Sequence, residues 1–142
     1  MIHTMEKKIF VSFLLAVSFL FLAATVSAAG PLAIVTNVEV DGVNAFNSPA
    51  VIVGDTVTVR VDFNSLVNAS DVTVEVELEG DREDVKAETV SFDVEQGFEY
   101  SKSLRLEVPF DLKDSLSGPV ELNIEISGSG FKTTDNYTLR FQ

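Results

Sequence analysis

Apolar and polar residues alternate with a period of two through most of this chain, and this alternation limits the possible folds more than any other feature. Every second position of segment 56–63 is apolar, namely Val57, Val59, Val61 and Phe63. Successive side chains of a β-strand point to opposite faces of a sheet, so one face of such a strand is buried and the other meets water. The pattern predicts half-buried antiparallel strands.

The same alternation recurs in five further segments, which are 71–79, 90–94, 104–108, 120–126 and 137–141. We expect their alternating apolar residues to face the core, including Val90 in the second and Tyr137 in the last. Segment 32–40 is predicted to form an opening strand. Turn-forming residues separate the segments, as at Gly54, Gly80 and Gly118.

No segment after residue 28 sustains a helical period, and stretch 111–116 has room for one helical turn at most. Seven short strands therefore predict an all-β fold. The expected architecture is an immunoglobulin-like antiparallel β-sandwich, without the cysteines and tryptophan that mark antibody domains.

The beginning of the chain carries a pattern typical of an export signal. Lys7 and Lys8 precede a nearly unbroken apolar run, and small residues follow it. The triplet Val26-Ser27-Ala28 suits a signal peptidase, so segment 1–28 is predicted to be a signal peptide. The alternative is an uncleaved hydrophobic anchor helix, because the 21 residues of 9–29 are long enough to cross a bilayer. Both alternatives place the remainder outside the membrane.

Segment 29–142 is predicted to form a single domain, because its 114 residues suit one core. Without Glu6, Lys7 and Lys8, it has 21 acidic and 8 basic residues and a net charge of −13. Its basic residues are scattered singly, which disfavours binding to nucleic acid or to anionic lipid. We expect a soluble extracellular or cell-surface protein, exported by the general secretory route.

The residue types most often used in catalysis are missing from the predicted domain. The chain has no cysteine, and its one histidine, His3, lies in the leader. Thiol nucleophiles, histidine bases and cysteine-based zinc sites are therefore excluded. Glu75, Glu77 and Glu79 share one face of a predicted strand. Because they alternate with apolar residues, this face is expected to be the one that meets water. We predict that the protein is not an enzyme and that it has no catalytic residue and no cofactor.

One acidic turn, segment 79–84, is a candidate calcium site. Hard cations prefer oxygen ligands, and this turn gathers four carboxylates around a glycine. The candidate ligands are Asp81, Glu83 and Asp84, followed by Glu79. Against such a site, Arg82 offers local neutralisation, and the Asp-x-Asp-x-Asp-Gly pattern of calcium loops is missing from the sequence.

Two sequons, at Asn68 and Asn136, permit N-glycosylation, and Asn68 falls in a predicted loop. Four phenylalanines fall near predicted turns or strand ends, namely Phe46, Phe98, Phe110 and Phe131. We expect them to plug the ends of the sandwich, and the alternative is an exposed contact patch.

Segments 31–38 and 53–59, with the sequences PLAIVTNV and VGDTVTV, resemble CARDB-type or related immunoglobulin-like domains of prokaryotic surface proteins. The similarity continues through 69–74 and 117–122. The Asn-x-Gly that usually follows the second strand of that family is replaced by Asn-Ser-Leu at 64–66. The resemblance implies adhesion, spacing or display at a cell surface, and it implies no catalytic residue.

Two functions are compatible with these features. The first is an exported surface module with a structural, spacer or adhesion role, whose partners are other surface proteins or glycans. The alternative is a subunit of a self-assembling surface layer or filament, a homo-oligomer joined by edge-strand addition through 32–40 or 134–141. The membrane would be contacted only through an uncleaved N-terminal segment.

Overall fold

The computed structural model describes residues 30–142, so the predictions of a leader, of its cleavage and of an anchor fall on residues outside this range. Its elements are, in chain order, β1 (Ala33–Val40), β2 (Val43–Asn44), the 3-10 helix η1 (Ala45–Asn47), β3 (Ala50–Val51), β4 (Thr56–Ser65), β5 (Ala69–Glu79), β6 (Val85–Glu88), β7 (Phe92–Val94), β8 (Glu99–Glu107), β9 (Gly118–Gly128) and β10 (Phe131–Phe141). Within 30–142, no helix reaches the length and apolarity that crossing a bilayer requires.

The strands form two sheets that pack face to face. Sheet A has the order β2-β1-β4-β8. Sheet B has the order β3-β10-β9-β5-β6, and β7 also pairs with β5. The long strands pair antiparallel, whereas the two-residue β3 runs parallel to β10. The predicted all-β antiparallel sandwich is confirmed.

The core is the apolar layer between the sheets, and the alternation of the long strands builds it. Three strands supply rows of side chains at most 2% exposed: Val57, Val59, Val61 and Phe63 from β4; Val72, Val74, Val76 and Leu78 from β5; Val120, Leu122, Ile124 and Ile126 from β9. Burying one such side chain stabilises a fold by about 1.5–3 kcal/mol. Since the chain has no cysteine, this layer holds the sheets together without a disulfide.

Strands β8 and β10 begin well before the segments that the alternation predicts. The inward positions at the start of β8 hold Tyr100 and Lys102, and those of β10 hold Phe131, Thr133 and Asp135. The polar residues among them interrupt the apolar period, which becomes regular only after them. The short strands β2, β3 and β6 were not predicted, because two to four residues are too few to show a period.

The prediction that Val90 faces the core is wrong, because its side chain is 87% exposed. Thr89 is bonded twice to Val74: its N–H donates to the Val74 carbonyl at 2.9 Å, and its hydroxyl accepts from the Val74 N–H at 3.0 Å. This side-chain bond replaces a backbone pairing and turns the chain outward. Strand β7 therefore begins only at Phe92.

The sandwich has two ends, which we call the entry end and the distal end. The described chain begins at Gly30 beside the entry end, where Ala33 pairs with Ser65. The turns at 66–68, 95–98 and 129–130 lie at this end. The distal end holds the turns at 52–55 and 80–84, the loop 108–117 and the final residue, Gln142.

Substituting Val59→Asp tests the strand register. Val59 is 1% exposed, and an unpaired carboxylate buried between the sheets should cost about 3 kcal/mol or more and unfold the domain. Ser103→Asp is the matched control, because Ser103 is exposed and lies opposite Arg60 on the outer face. Thermal unfolding followed by circular dichroism should show loss of the transition only for Val59→Asp. Equal stability of both variants would refute the register.

Candidate functional site

The loop 108–117 at the distal end connects β8 of sheet A to β9 of sheet B. Its first residue, Val108, is fully buried and is bonded to the turn at 52–55: the Val108 N–H donates to the Asp55 carbonyl at 2.9 Å, and the Gly54 N–H donates to the Val108 carbonyl at 2.8 Å. Leu112 in the middle of the loop is also fully buried. The loop therefore lacks regular structure but is attached to the core at two points.

Asp81 fastens the second half of this loop. Its N–H donates to the Leu112 carbonyl at 2.7 Å. Its carboxylate accepts from the Asp114 N–H at 2.9 Å and from the Lys113 ammonium at 3.2 Å. Arg82 adds an ion pair to Asp114 at 2.6 Å. The turn at 80–84 is thus a clamp on loop 108–117.

Gly80 is required where the clamp and the loop meet. A Cβ atom at this position would overlap the carbonyl oxygens of Glu83 and Leu112. Backbone atoms cannot move aside as the end of a flexible side chain can. The close approach of the two segments therefore depends on a residue without a side chain.

The clamp lowers the pKa of the Asp81 carboxyl below its ordinary value. The hydrogen bond from the Asp114 N–H is the largest cause, and the Lys113 ammonium is the next. Both interactions stabilise the ionised form of the carboxylate. The negative charge of Asp81 therefore contributes to holding loop 108–117 in place.

The candidate calcium ligands lie in this clamp turn, and the structure separates their roles. Asp81 faces Lys113 and the Asp114 N–H, and one carboxylate oxygen of Asp84 accepts from the Gly80 N–H at 2.9 Å. Within 30–142, no three acidic side chains converge as a metal site would require. Calcium binding by Asp81, Glu83 and Asp84 stays a prediction, and it would have to compete with these bonds.

Beside the clamped loop lies an apolar cleft, which we call the distal cleft. Its apolar walls are Val53, Phe110, Leu116 and Phe141, and its volume is about 340 Å³. Phe110 is 79% exposed and Leu116 is 94% exposed. The Phe110 ring lies over Gly54, where an added Cβ would come within 2.8 Å of it.

The prediction that phenylalanines plug the sandwich ends is wrong for three of the four. Phe46, Phe98 and Phe110 are between 59% and 82% exposed, whereas Phe131 packs partly buried against the core. Phe46 lies in the 3-10 helix η1 and the other two exposed rings lie in turns or loops, so all three are outside the alternating rows. Leu116 was not singled out from the sequence, because it lies between polar residues and shows no period.

The outer face of sheet B forms a polar surface, which we call the acidic face. It carries Glu75, Glu77, Glu79, Glu88, Glu121 and Glu125. Glu75 lies between Glu88 and Glu125 in the strand register, so three carboxylates stand in one row across β6, β5 and β9. Like charges directly opposite on neighbouring strands are destabilising.

Lys86 and Lys132 offset part of this repulsion. Lys86 lies 3.0 Å from the Glu77 carboxylate and 3.9 Å from that of Glu75, and Lys132 lies 3.1 Å from that of Glu125. The hydrogen bond to Glu77 raises the pKa of Lys86. Lys86 and three of the glutamates line a groove of about 510 Å³, which also includes Asn123, Thr134 and Asn136.

The two sequon asparagines occupy different surroundings. Asn68 is exposed in the turn at the entry end, where its carboxamide oxygen accepts from the Gln96 N–H at 2.8 Å. Asn136 is exposed on β10 and borders the groove of the acidic face. A glycan on Asn136 would cover that groove, whereas one on Asn68 would leave both the groove and the distal cleft open.

Comparison with known proteins identifies the architecture. No family model matches the chain, and no curated protein sequence matches it. A Niemann-Pick type C2 protein from the Japanese carpenter ant superposes with a TM-score of 0.56 at 10% identity, covering 80% of this chain and 96% of that one. The fold is immunoglobulin-like. The C-terminal domain of wzt also has a TM-score of 0.56, at 14% identity, with coverage of 79% and 74%. At these identities the likeness concerns the fold alone.

Substituting Asp81→Ala should release the second half of loop 108–117. Amide exchange at Asp114 should accelerate, because its N–H loses its acceptor. Glu83→Ala is the control, since Glu83 is exposed in the same turn. In the unchanged protein, the carbon-13 shift of the Asp81 carboxyl should titrate below the ordinary value of 3.8.

The sign of this pH dependence follows from the lowered pKa. The folded pKa lies below the unfolded one, so the clamp is fully effective above the unfolded value and is lost as the pH falls through the folded value. A titration midpoint above 3.8 would contradict the clamp. So would equal exchange rates in the Asp81 and Glu83 variants.

Substituting Glu88→Lys should stabilise the domain, because a cation would then face Glu75 in the carboxylate row. The expected gain is about 0.5 kcal/mol, and it should shrink at high salt. Glu99→Lys is the matched control, because it changes the net charge equally but lies opposite Asn64. The thermal unfolding midpoints of the two variants show whether the contact with Glu75 or the change in net charge is responsible. Equal shifts in both variants would show that net charge alone is responsible.

Proposed function

We propose that this protein is an exported, non-catalytic immunoglobulin-like module of a cell surface, where it serves as a spacer that presents a binding end. The observation that carries the proposal is the opposition of the two ends. The described chain begins at the entry end, directly after the predicted leader. The distal cleft, with Phe110 and Leu116, lies at the opposite end of the sandwich. A leader retained as an anchor at the entry end would hold the distal end away from the membrane.

The absence of catalysis is part of this proposal, and the sequence supports it. Residues 29–142 contain neither cysteine nor histidine. Glu75 and Glu77 on the acidic face are the best candidates for a pair of catalytic carboxylates. Both form ion pairs with the ammonium of Lys86. The CARDB-type resemblance agrees with a role in adhesion or display. Other surface proteins or glycans are the proposed partners.

A self-assembling subunit is the second candidate, and the open edges of the sheets favour it. Strand β10 pairs with β3 only at Arg140 and Phe141, so most of its outer edge is free of strand pairing within 30–142. Against this candidate, two charged side chains on edge strands point between the sheets and oppose pairing with a second copy. Asp135 on β10 accepts a hydrogen bond from the Tyr137 hydroxyl at 2.7 Å, and the Lys102 ammonium on β8 lies 4.0 Å from the centroid of the Phe92 ring.

Surface exposure can be tested by adding protease to intact cells that make the full chain. We expect the domain to be digested before the cells lyse, because export would place it outside the membrane. Mass spectrometry of the purified chain then shows whether it begins at Ala29 or retains the leader. A chain that resists protease until lysis would contradict the proposed function, and the form of the N-terminus shows whether the leader anchors the domain at its entry end.

The same purified chain separates the two candidates by light scattering over a concentration series. We expect a monomer at all concentrations, because a net charge of −13 on the domain opposes self-association. Growth into ordered multimers would contradict the spacer and support edge-strand assembly.

A further inference from the structure

Two large apolar side chains stand exposed on a loop that the fold holds in place. Single exposed apolar residues are common on protein surfaces and need no explanation. Phe110 and Leu116 differ because they line one cleft together with Val53 and Phe141. An exposed apolar cleft with a polar rim is the usual composition of a contact site.

The position of the cleft is fixed before any partner arrives. Val108 is bonded to the turn at 52–55, Leu112 is buried, and the Asp81 clamp holds Lys113 and Asp114. A binding surface that is ordered in advance loses less conformational entropy on association. The exposed Phe110 ring and Leu116 side chain therefore lie on a loop that is attached to the fold before any partner binds.

The charges around the cleft define what can approach it. Its two cations are already neutralised, since Arg82 pairs with Asp114 at 2.6 Å and Lys113 with Asp81 at 3.2 Å. Four further acidic residues have no ion-pair partner within 30–142: Asp111 on the cleft itself, and Asp55, Glu83 and Asp84 on the neighbouring turns. Together with these turns, the unpaired charge around the cleft is therefore negative.

We propose that the distal cleft binds a cationic polypeptide segment of a partner protein, with one large apolar side chain in the cleft and lysine or arginine side chains beside Asp111 and the acidic residues of the neighbouring turns. This proposal rests on the proposed function of a binding module and names the chemistry of its partner. The cleft volume of about 340 Å³ suits one or two side chains rather than a folded surface. A second copy of the chain fits poorly, because its net charge is also negative.

The probe for this proposal is a short synthetic lysine-rich peptide that carries one tryptophan. The full chain, purified as its host cell processes it, has no tryptophan, so the emission reports the peptide alone. We expect a saturable blue shift that weakens at high salt. Leu116→Ser should reduce the affinity about tenfold or more. Phe98→Ser is the matched control at the entry end, where Phe98 is 59% exposed, and it should leave the affinity unchanged.

Several outcomes would overturn the proposal. These are the absence of any blue shift, an unchanged affinity in both Leu116→Ser and Phe110→Ser, and equal binding of a peptide with glutamate in place of lysine. Self-association that Leu116→Ser abolishes would assign the cleft to a second copy and would also overturn it. The thermal transition of each variant verifies folding, and the 94% exposure of Leu116 makes its substitution the safer one. Protease accessibility on cells is measured separately, so failure of peptide binding leaves the proposed function standing.

Discussion

The packing of two apolar layers against each other is the constraint on which the remainder of the structure depends. The chain has no disulfide to join the sheets, so the rows from β4, β5 and β9 carry this task. A shift of one residue in any strand would turn its apolar row to water and its charged row to the core. The register is therefore fixed strongly, and the turns and loops take their positions from it.

The distal end shows how polar interactions depend on this frame. Loop 108–117 must cross between two sheets that are spaced about 10 Å apart. Buried Leu112 attaches it to the core and accepts the Asp81 N–H at its carbonyl, and the Asp81 carboxylate binds the next two residues. Gly80 permits the close approach. The entry end has a comparable device in Ser65, which is 2% exposed and whose hydroxyl donates to the Val67 carbonyl at 2.7 Å.

Charge is divided between the outer faces and the edges of the sandwich. Sheet B carries rows of glutamates, whereas sheet A carries a connected polar network around Asp62. Partial burial alone would raise the pKa of Asp62, but hydrogen bonds from Ser101, Arg60 and Asn37 outweigh it and lower the pKa. At the edges, Lys102 and Asp135 point between the sheets. These inward charges explain why an acidic β-protein with partly open edges need not pair with its neighbours.

The sequence by itself determined the all-β class, the long strands and the inward rows, because the period of two follows directly from strand geometry. It also excluded thiol and imidazole chemistry by composition. It did not locate the starts of β8 and β10, where Lys102 and Asp135 interrupt the apolar period, or the outward turn at Val90. Only the tertiary structure decided that Phe110 and Leu116 share one cleft and that Asp81 holds their loop. Those contacts join residues from separate turns, and their meeting depends on how the two sheets stack rather than on any local pattern.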